Sequence, residues 1–169
     1  MPMTRAPAVS LALSLLAAPM APAQEAGAAP GDPERGKIVY RTLGNCVSCH
    51  GWAADGKAGV DLRAPTGPDL RETALDEASL TEVIRCGRPG TAMPYHDRAA
   101  YRDGRCYGLV MADFDAGGKP VRGKTFGEAD LASLVAYLRA RVIGQGKPTR
   151  EDCAEFFDNP AAKACSNLK

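Results

Sequence analysis

The residues best suited to chemistry lie between positions 46 and 50, where two cysteines three positions apart are followed directly by a histidine. Cys-x-x-Cys-His is an arrangement at which haem attaches covalently. Two thiols add to the vinyl groups of the porphyrin, and the next residue offers a ring nitrogen to iron. The motif therefore predicts one covalent haem c held by Cys46 and Cys49, with His50 as an axial iron ligand.

Two other uses of this motif are less well supported by the sequence. A thioredoxin-like redox pair needs a βαβ context, and no such pattern surrounds Cys46. A zinc site needs four ligands arranged as a tetrahedron, but Cys49 and His50 are adjacent and no second ligand pair follows. Haem attachment remains the interpretation that uses all three side chains.

A six-coordinate iron needs a ligand opposite His50, and the sequence offers Met93, Met111 and His96. Met93 follows His50 by 43 residues, in a loop with the sequence Gly-Thr-Ala-Met-Pro. The glycine and the proline favour irregular structure there, which lets the side chain enter a pocket. A thioether raises the reduction potential relative to a second imidazole. We expect Met93 to be the ligand and His96, between Tyr95 and Asp97, to lie on the surface.

Helices must position these groups, and the sequence predicts an all-α fold. A first helix begins at Asp32-Pro33-Glu34, with Asp32 as N-cap and Pro33 in the first turn. Residues 51–70, rich in glycine and proline, read as loop. A second helix covers about 76–85 and ends at Gly87. A long polar segment follows, at about 95–124.

The last strong helix is predicted to open at Thr125, since Thr125 and Glu128 have capping-box spacing. Its apolar residues recur at helical spacing as far as Val142, and Gly144 is a natural stop. A C-terminal tail, residues 148–169, is predicted to contain a short helix at 151–158.

The N-terminus reads as a secretory signal peptide over residues 1–23. Arg5 is its only charge, a short apolar run covers 11–18, and Ala21-Pro22-Ala23 precedes the expected cleavage site. A membrane anchor needs about 20 apolar residues, more than this run provides. We therefore expect export to the periplasm, with no membrane span after cleavage.

The expected mature chain has the size of one domain, with a flexible leader at 24–31, a haem-binding domain at 32–147 and the tail at 148–169. Removing Arg5 leaves 20 basic and 20 acidic side chains. No global field then attracts nucleic acid or anionic lipid, so electrostatic recognition requires a local patch.

Several separate stretches resemble a class I cytochrome c of the small bacterial, monohaem type. The matching stretches are Gly36 with Tyr40, the Cys46–Gly51 motif, Gly67-Pro68-Asp69-Leu70, Gly90–Pro94, and Leu134–Leu138. The resemblance implies helices wrapped around the haem, with the N- and C-terminal helices crossing at Gly36. It also implies that the Pro68 carbonyl accepts a hydrogen bond from His50 and orients its ring.

The chain departs from that family in three places. Tyr40 lies six residues before Cys46, where four is commoner, so the first helix is expected to end irregularly. The loop at 95–124 and the tail after Gly144 are longer than the family minimum. These departures leave the haem prediction intact and put the partner surface in doubt.

The remaining four cysteines allow three pairings. Cys86 and Cys106 flank the Met93 loop, while Cys153 and Cys165 share the tail. Thiols pair in an exporting, oxidising compartment. We predict the disulfides Cys86–Cys106 and Cys153–Cys165, the first of which would stiffen the loop that carries Met93.

These features predict an electron-transfer protein, not an enzyme, because a six-coordinate iron has no open position for substrate. The expected function is a monomeric periplasmic one-electron carrier that exchanges electrons with redox proteins. The alternative is a dedicated cytochrome c subunit of a periplasmic dehydrogenase, such as a quinoprotein. A haem enzyme or gas sensor would need a vacant sixth site.

A cluster of arginines surrounds the Met93 loop and could steer an acidic redox partner, although a mixed solvated face is equally compatible with the sequence. Its members are Arg85, Arg88, Arg98, Arg102 and Arg105.

Overall fold

The computed structural model describes Met1 and residues 30–57 and 64–168. Residues 2–29 lie outside this part, so the signal peptide and most of the leader are untested expectations. The described residues form helices and loops, and their only β-type pairing consists of two isolated bridges. None of their helices is long and apolar enough to cross a bilayer.

Five α-helices form the framework of residues 30–57 and 64–168. They are α1 (Pro33–Ile38), α2 (Val47–His50), α3 (Glu77–Cys86), α4 (Glu128–Arg141) and α5 (Arg150–Phe157). Short 3₁₀ turns cover Met111–Asp113 and Lys163–Cys165. The all-α class predicted from the sequence is therefore confirmed for the part of the chain that the structure describes.

The first helix begins as its capping residues predict and ends in a wider turn. The Asp32 carboxylate accepts the N–H of Glu34, and Pro33 occupies the first turn. After Ile38 the chain widens into a π-helical turn, Val39–Leu43. The N–H of Gly44 donates to the carbonyl of Val39, five residues back. This turn takes up the extra residues between Tyr40 and Cys46.

Helix α1 packs directly on α4, and Gly36 makes this contact possible. A Cβ at Gly36 would lie 2.0 Å from the carbonyl oxygen of Ser133 and 2.6 Å from Cβ of Tyr137. The rings of Tyr40 and Tyr137 also meet here, with centroids 5.7 Å apart. The two backbones can therefore approach only because position 36 has no side chain.

One apolar core joins the π-helical turn, α3, α4 and α5. Its largest buried members are Tyr40, Leu80, Ile84, Phe126, Leu131, Leu134, Tyr137, Leu138 and Phe156. Leu70, Val47 and Cys46 pack against its edge. A second, smaller cluster lies within the long loop and contains the Cys86–Cys106 disulfide with Ala100 and Tyr101.

The start of α4 differs from the prediction. The helix begins at Glu128 with Gly127 as N-cap, and no side chain caps it. Thr125 is exposed and takes no part, so the predicted capping box is wrong. Phe126 is buried between these residues. Its N–H donates to the carbonyl of His96, which fixes the approach to the helix by a tertiary contact.

The tail is held to the body by polar contacts as well as by Phe156. Helix α5 opens with a capping box between Thr149 and Asp152. The buried Arg71 guanidinium donates to Asp152 Oδ2 over 2.9 Å. Lys37 Nζ donates to the Glu155 carbonyl over 3.0 Å and to Asp158 Oδ1 over 2.7 Å. The tail thus forms part of the folded domain.

Candidate haem site

The attachment segment folds into a short helix that starts just after Cys46. The N–H of Cys46 donates to the Tyr40 carbonyl, and the N–H of His50 donates to the Cys46 carbonyl. Cys46 and Cys49 carry free thiols, whereas the other four cysteines are paired. Burial raises the pKa of Cys46 to about 12, so its thiol is neutral. Two unpaired thiols therefore remain where the sequence places thioether bonds.

His50 has the environment of an oriented metal ligand. Its side chain is buried, and its Nδ1 lies 3.0 Å from the carbonyl oxygen of Pro68. Because that carbonyl can only accept, Nδ1 carries the proton and Nε2 keeps its lone pair. Burial lowers the pKa of His50, against the opposing effect of the Pro68 hydrogen bond. The neutral imidazole is the form that binds a metal.

The loop that orients His50 depends on Gly67. A Cβ at this position would lie 2.7 Å from Nδ1 of His50 and 2.8 Å from its Cε1. The N–H of Gly67 also donates to the Cys49 carbonyl over 2.7 Å. Gly67 therefore lets the Pro68 carbonyl reach the His50 ring. A side chain at position 67 would push the ring away from this acceptor.

The residues present fit a covalent haem. They offer two free thiols in the required order, a neutral imidazole with Nε2 available, and an adjoining apolar core that includes Leu80 and Leu134. A haem bound here supplies an iron that changes its charge by one electron. The protein supplies attachment, ligand orientation and low water access.

Met93 lies in a loop that is tightly tied to the end of α3. Its N–H donates to Thr91 Oγ1 over 3.1 Å, and its carbonyl accepts the N–H of Arg88 over 3.2 Å. A Cβ at Gly87 would lie 2.7 Å from the same carbonyl oxygen. The side chain is half-buried. Met93 as the sixth ligand stays a prediction.

The disulfides in the structure join Cys86 to Cys106 and Cys153 to Cys165, with Cα separations of 5.4 and 5.6 Å. All four side chains are fully buried. Cys86 directly precedes Gly87, so the first bridge anchors the segment that leads to Met93. The second bridge closes the tail.

The two other candidate ligands both lie in the long loop at 95–124. Met111 packs against the small cluster of the long loop. His96 was expected on the surface, and this is wrong, because only 6% of it is exposed. Its ring stacks on Phe126 with centroids 4.0 Å apart and planes 4° from parallel. The prediction for His96 rested on its polar neighbours Tyr95 and Asp97. The residue that buries its ring, Phe126, is distant in sequence and could not be recognised from those neighbours.

The arginine cluster separates into paired and unpaired members. Arg85 donates to both carboxylate oxygens of Glu128 over 2.8 Å, and Arg105 pairs with Asp103 and Asp97. The other three, Arg88, Arg98 and Arg102, are exposed, and no carboxylate among the described residues lies within ion-pair distance of them. In the same part of the chain, no group of acidic, cysteine and histidine side chains could hold a metal ion by itself.

Comparison with protein families matches residues 31–110 to the family described as "Cytochrome C oxidase, cbb3-type, subunit III". The match includes the thiols, His50, Pro68 and Met93. The match spans just under half of the chain and supports a cytochrome c family. Neither the curated proteins nor the solved structures gave a match. A cytochrome c domain implies electron transfer through covalently bound haem c, with redox proteins as partners.

Proposed function

We propose that this cytochrome is a periplasmic one-electron carrier with a single six-coordinate haem c, ligated by His50 and Met93. The observation that carries the proposal is the neutral, buried imidazole of His50, fixed by Pro68 beside two free thiols. A loop braced by a disulfide offers a thioether for the opposite position. Two permanent ligands leave little to rearrange on electron transfer, which favours fast exchange.

The experiment replaces Met93 by alanine in protein matured in a haem-loading, exporting host. We expect the oxidised wild type to show the weak band near about 695 nm that marks iron–sulfur bonding, and the variant to lack it. The reduction potential of Met93→Ala should fall by on the order of 100 mV or more, and its reduced iron should bind carbon monoxide.

Two controls limit the interpretation of this experiment. Colour that stays on the polypeptide after acid-acetone extraction establishes covalent attachment in both proteins. Met111→Ala alters the other methionine expected in the mature chain and should leave band and potential unchanged. A Met93→Ala protein that keeps its potential and stays closed to carbon monoxide would show that Met93 is not the ligand.

A second function is a subunit of a larger oxidoreductase, and the family description favours it because it names an oxidase subunit. The loop at 95–124 and the disulfide-closed tail at 148–169 would then provide docking surface for a periplasmic dehydrogenase or an oxidase. Purification from native membranes and periplasm separates the two functions. A carrier elutes alone as a monomer, whereas a subunit elutes with a large partner.

A further inference from the structure

His96 connects the methionine loop to the end of α3 and to residues 124–126. Its backbone N–H donates to the Arg85 carbonyl at the end of α3, and its carbonyl accepts the N–H of Phe126 before α4. Its Nδ1 lies 2.6 Å from the carbonyl oxygen of Lys124. Since His96 is three residues from Met93, all these bonds act on the loop that carries the thioether.

The surroundings of His96 repeat those of His50. Each imidazole is buried, each places Nδ1 against a backbone carbonyl, and each has a glycine against its ring. A Cβ at Gly123 would lie 2.6 Å from Cε1 of His96 and 2.9 Å from its Nδ1. For His50 this arrangement orients a ligand. For His96 the same arrangement fixes a buried ring in its neutral form. Its Nδ1–H donates to the Lys124 carbonyl.

Phe126 extends this connection to the attachment segment. Its ring stacks on His96, and its Cζ lies 2.9 Å from where a Cβ on Gly44 would be. Cys46 Sγ lies 3.0 Å from the same point. The sulfur expected to hold the haem edge and the ring of His96 are therefore separated by one aromatic side chain.

We propose that His96 is a positioning residue for the methionine ligand, which holds the Met93 loop against the attachment segment through its Nδ1–H bond to Lys124 and its stack on Phe126. The inference rests on the proposed ligation by Met93. The Nδ1–H bond joins His96 to Lys124, 28 positions away in sequence. Its loss would free the Met93 loop at its C-terminal end, next to the ligand. Removing the imidazole donor would also leave the Lys124 carbonyl without a partner in a part-buried place. The free-energy cost is larger there than for a hydrogen bond between exposed groups.

The test compares His96→Phe with His96→Asn in the holoprotein. Phenylalanine keeps an aromatic ring against Phe126 but removes the donor, whereas asparagine can donate to Lys124 without a ring. We expect His96→Phe to weaken the band near about 695 nm, lower the reduction potential and admit carbon monoxide to reduced iron. His96→Asn should recover part of each property.

Glycine variants test the same contact without changing His96. Gly123→Ala places a methyl group against the imidazole, and we expect it to reproduce the effects of His96→Phe. Gly127→Ala is the matched control, because a Cβ there meets nothing within 4 Å. It should leave the band and the potential unchanged.

The outcomes separate this inference from the proposed ligation. A wild type without the sulfur band would contradict Met93 ligation, on which the inference depends. A second result is that the wild type shows the band while His96→Phe and Gly123→Ala keep both band and potential and lose only thermal stability. That result would show that His96 has a structural role only, and it would overturn the inference. If His96→Phe and Gly123→Ala fail to fold, His96→Asn decides, because it lacks the ring that stacks on Phe126. A sulfur band and a reduction potential identical to those of the wild type would then overturn the inference.

Discussion

At the scale of single residues, the site depends on backbone carbonyls that select a histidine tautomer. Pro68 does this for His50 and Lys124 does it for His96. In both, burial lowers the pKa of the imidazole, against a smaller opposing effect of the carbonyl. Each folded-state histidine therefore binds its proton less readily than it does in the unfolded chain, where its pKa is near 6.5.

This difference predicts a loss of stability in acid. As pH falls below 6.5, the unfolded chain takes up a proton that His96 in the folded protein refuses, so the free energy of unfolding falls until the folded-state pKa is reached. Denaturant unfolding of the holoprotein between pH 7 and pH 5 measures it. The His96→Asn variant should lose less stability over this range. An unchanged pH dependence in that variant would contradict the pKa shift.

At the scale of elements, the contact between α1 and α4 fixes where the attachment segment lies. Asp32 accepts from Glu34, and its own N–H donates to Ser133 Oγ over 3.1 Å, so the cap of α1 is also tied to α4. Arg35 pairs with Asp130 on the same helix. Every displacement of α1 therefore moves the π-helical turn and the thiols beyond it.

Gly36→Ala tests this contact. Its methyl group would lie 2.0 Å from the Ser133 oxygen, so the helices must separate. Overpacking of this kind costs about 1–3 kcal/mol or more. Chemical denaturation should show that loss, whereas Gly127→Ala, with open space at its Cβ, should show little. Equal stability of the two variants would mean that the helices tolerate separation.

The two disulfides should differ in function although they contribute similar stability. Loops of 20 and 12 residues each predict roughly 3 kcal/mol on the chain-entropy model. Replacing Cys86 and Cys106 by alanine should also weaken the iron–sulfur band, because that bridge leads directly to the Met93 loop. Replacing Cys153 and Cys165 should reduce the melting temperature alone. Similar spectral effects of both pairs of substitutions would refute this distinction.

At the scale of the whole molecule, charge is unevenly distributed although the expected mature chain is neutral. Residues 86–124 carry seven basic and four acidic side chains, which leaves a net charge of +3. The same segment exposes 39% of Tyr107 and 48% of Val121. Tyr107 donates to the Gly87 carbonyl, and Val121 accepts from Tyr95. Positive charge and apolar surface thus occur together around the Met93 loop.

Reversing charge on this segment should slow electron transfer to an anionic oxidant. We expect Arg88→Glu with Arg122→Glu to reduce the rate at which hexacyanoferrate(III) oxidises the reduced protein, by about tenfold at low ionic strength. Lys147→Glu, an exposed lysine in the segment before α5, is the control and should change the rate little. Stopped-flow rates across ionic strength measure both. Equal slowing by Lys147→Glu would indicate an effect of net charge only.

The sequence by itself determined the helical class and predicted the chemistry of the site. Covalent attachment is predicted from the spacing of Cys46, Cys49 and His50, and the helices from local capping and apolar periodicity, because all of these act over a few residues. The start of α1 and the short helix of the tail were predictable within one or two residues for the same reason.

Only the tertiary structure decided which residues are buried and which charges remain free. His96 is buried by Phe126, 30 positions away, and α4 starts at Glu128 because the contact of Phe126 with His96 replaces the cap expected at Thr125. Arg85 is neutralised by Glu128, while Arg88 stays unpaired among the described residues. Such pairings depend on distances between segments remote in sequence, which local propensity and spacing do not contain.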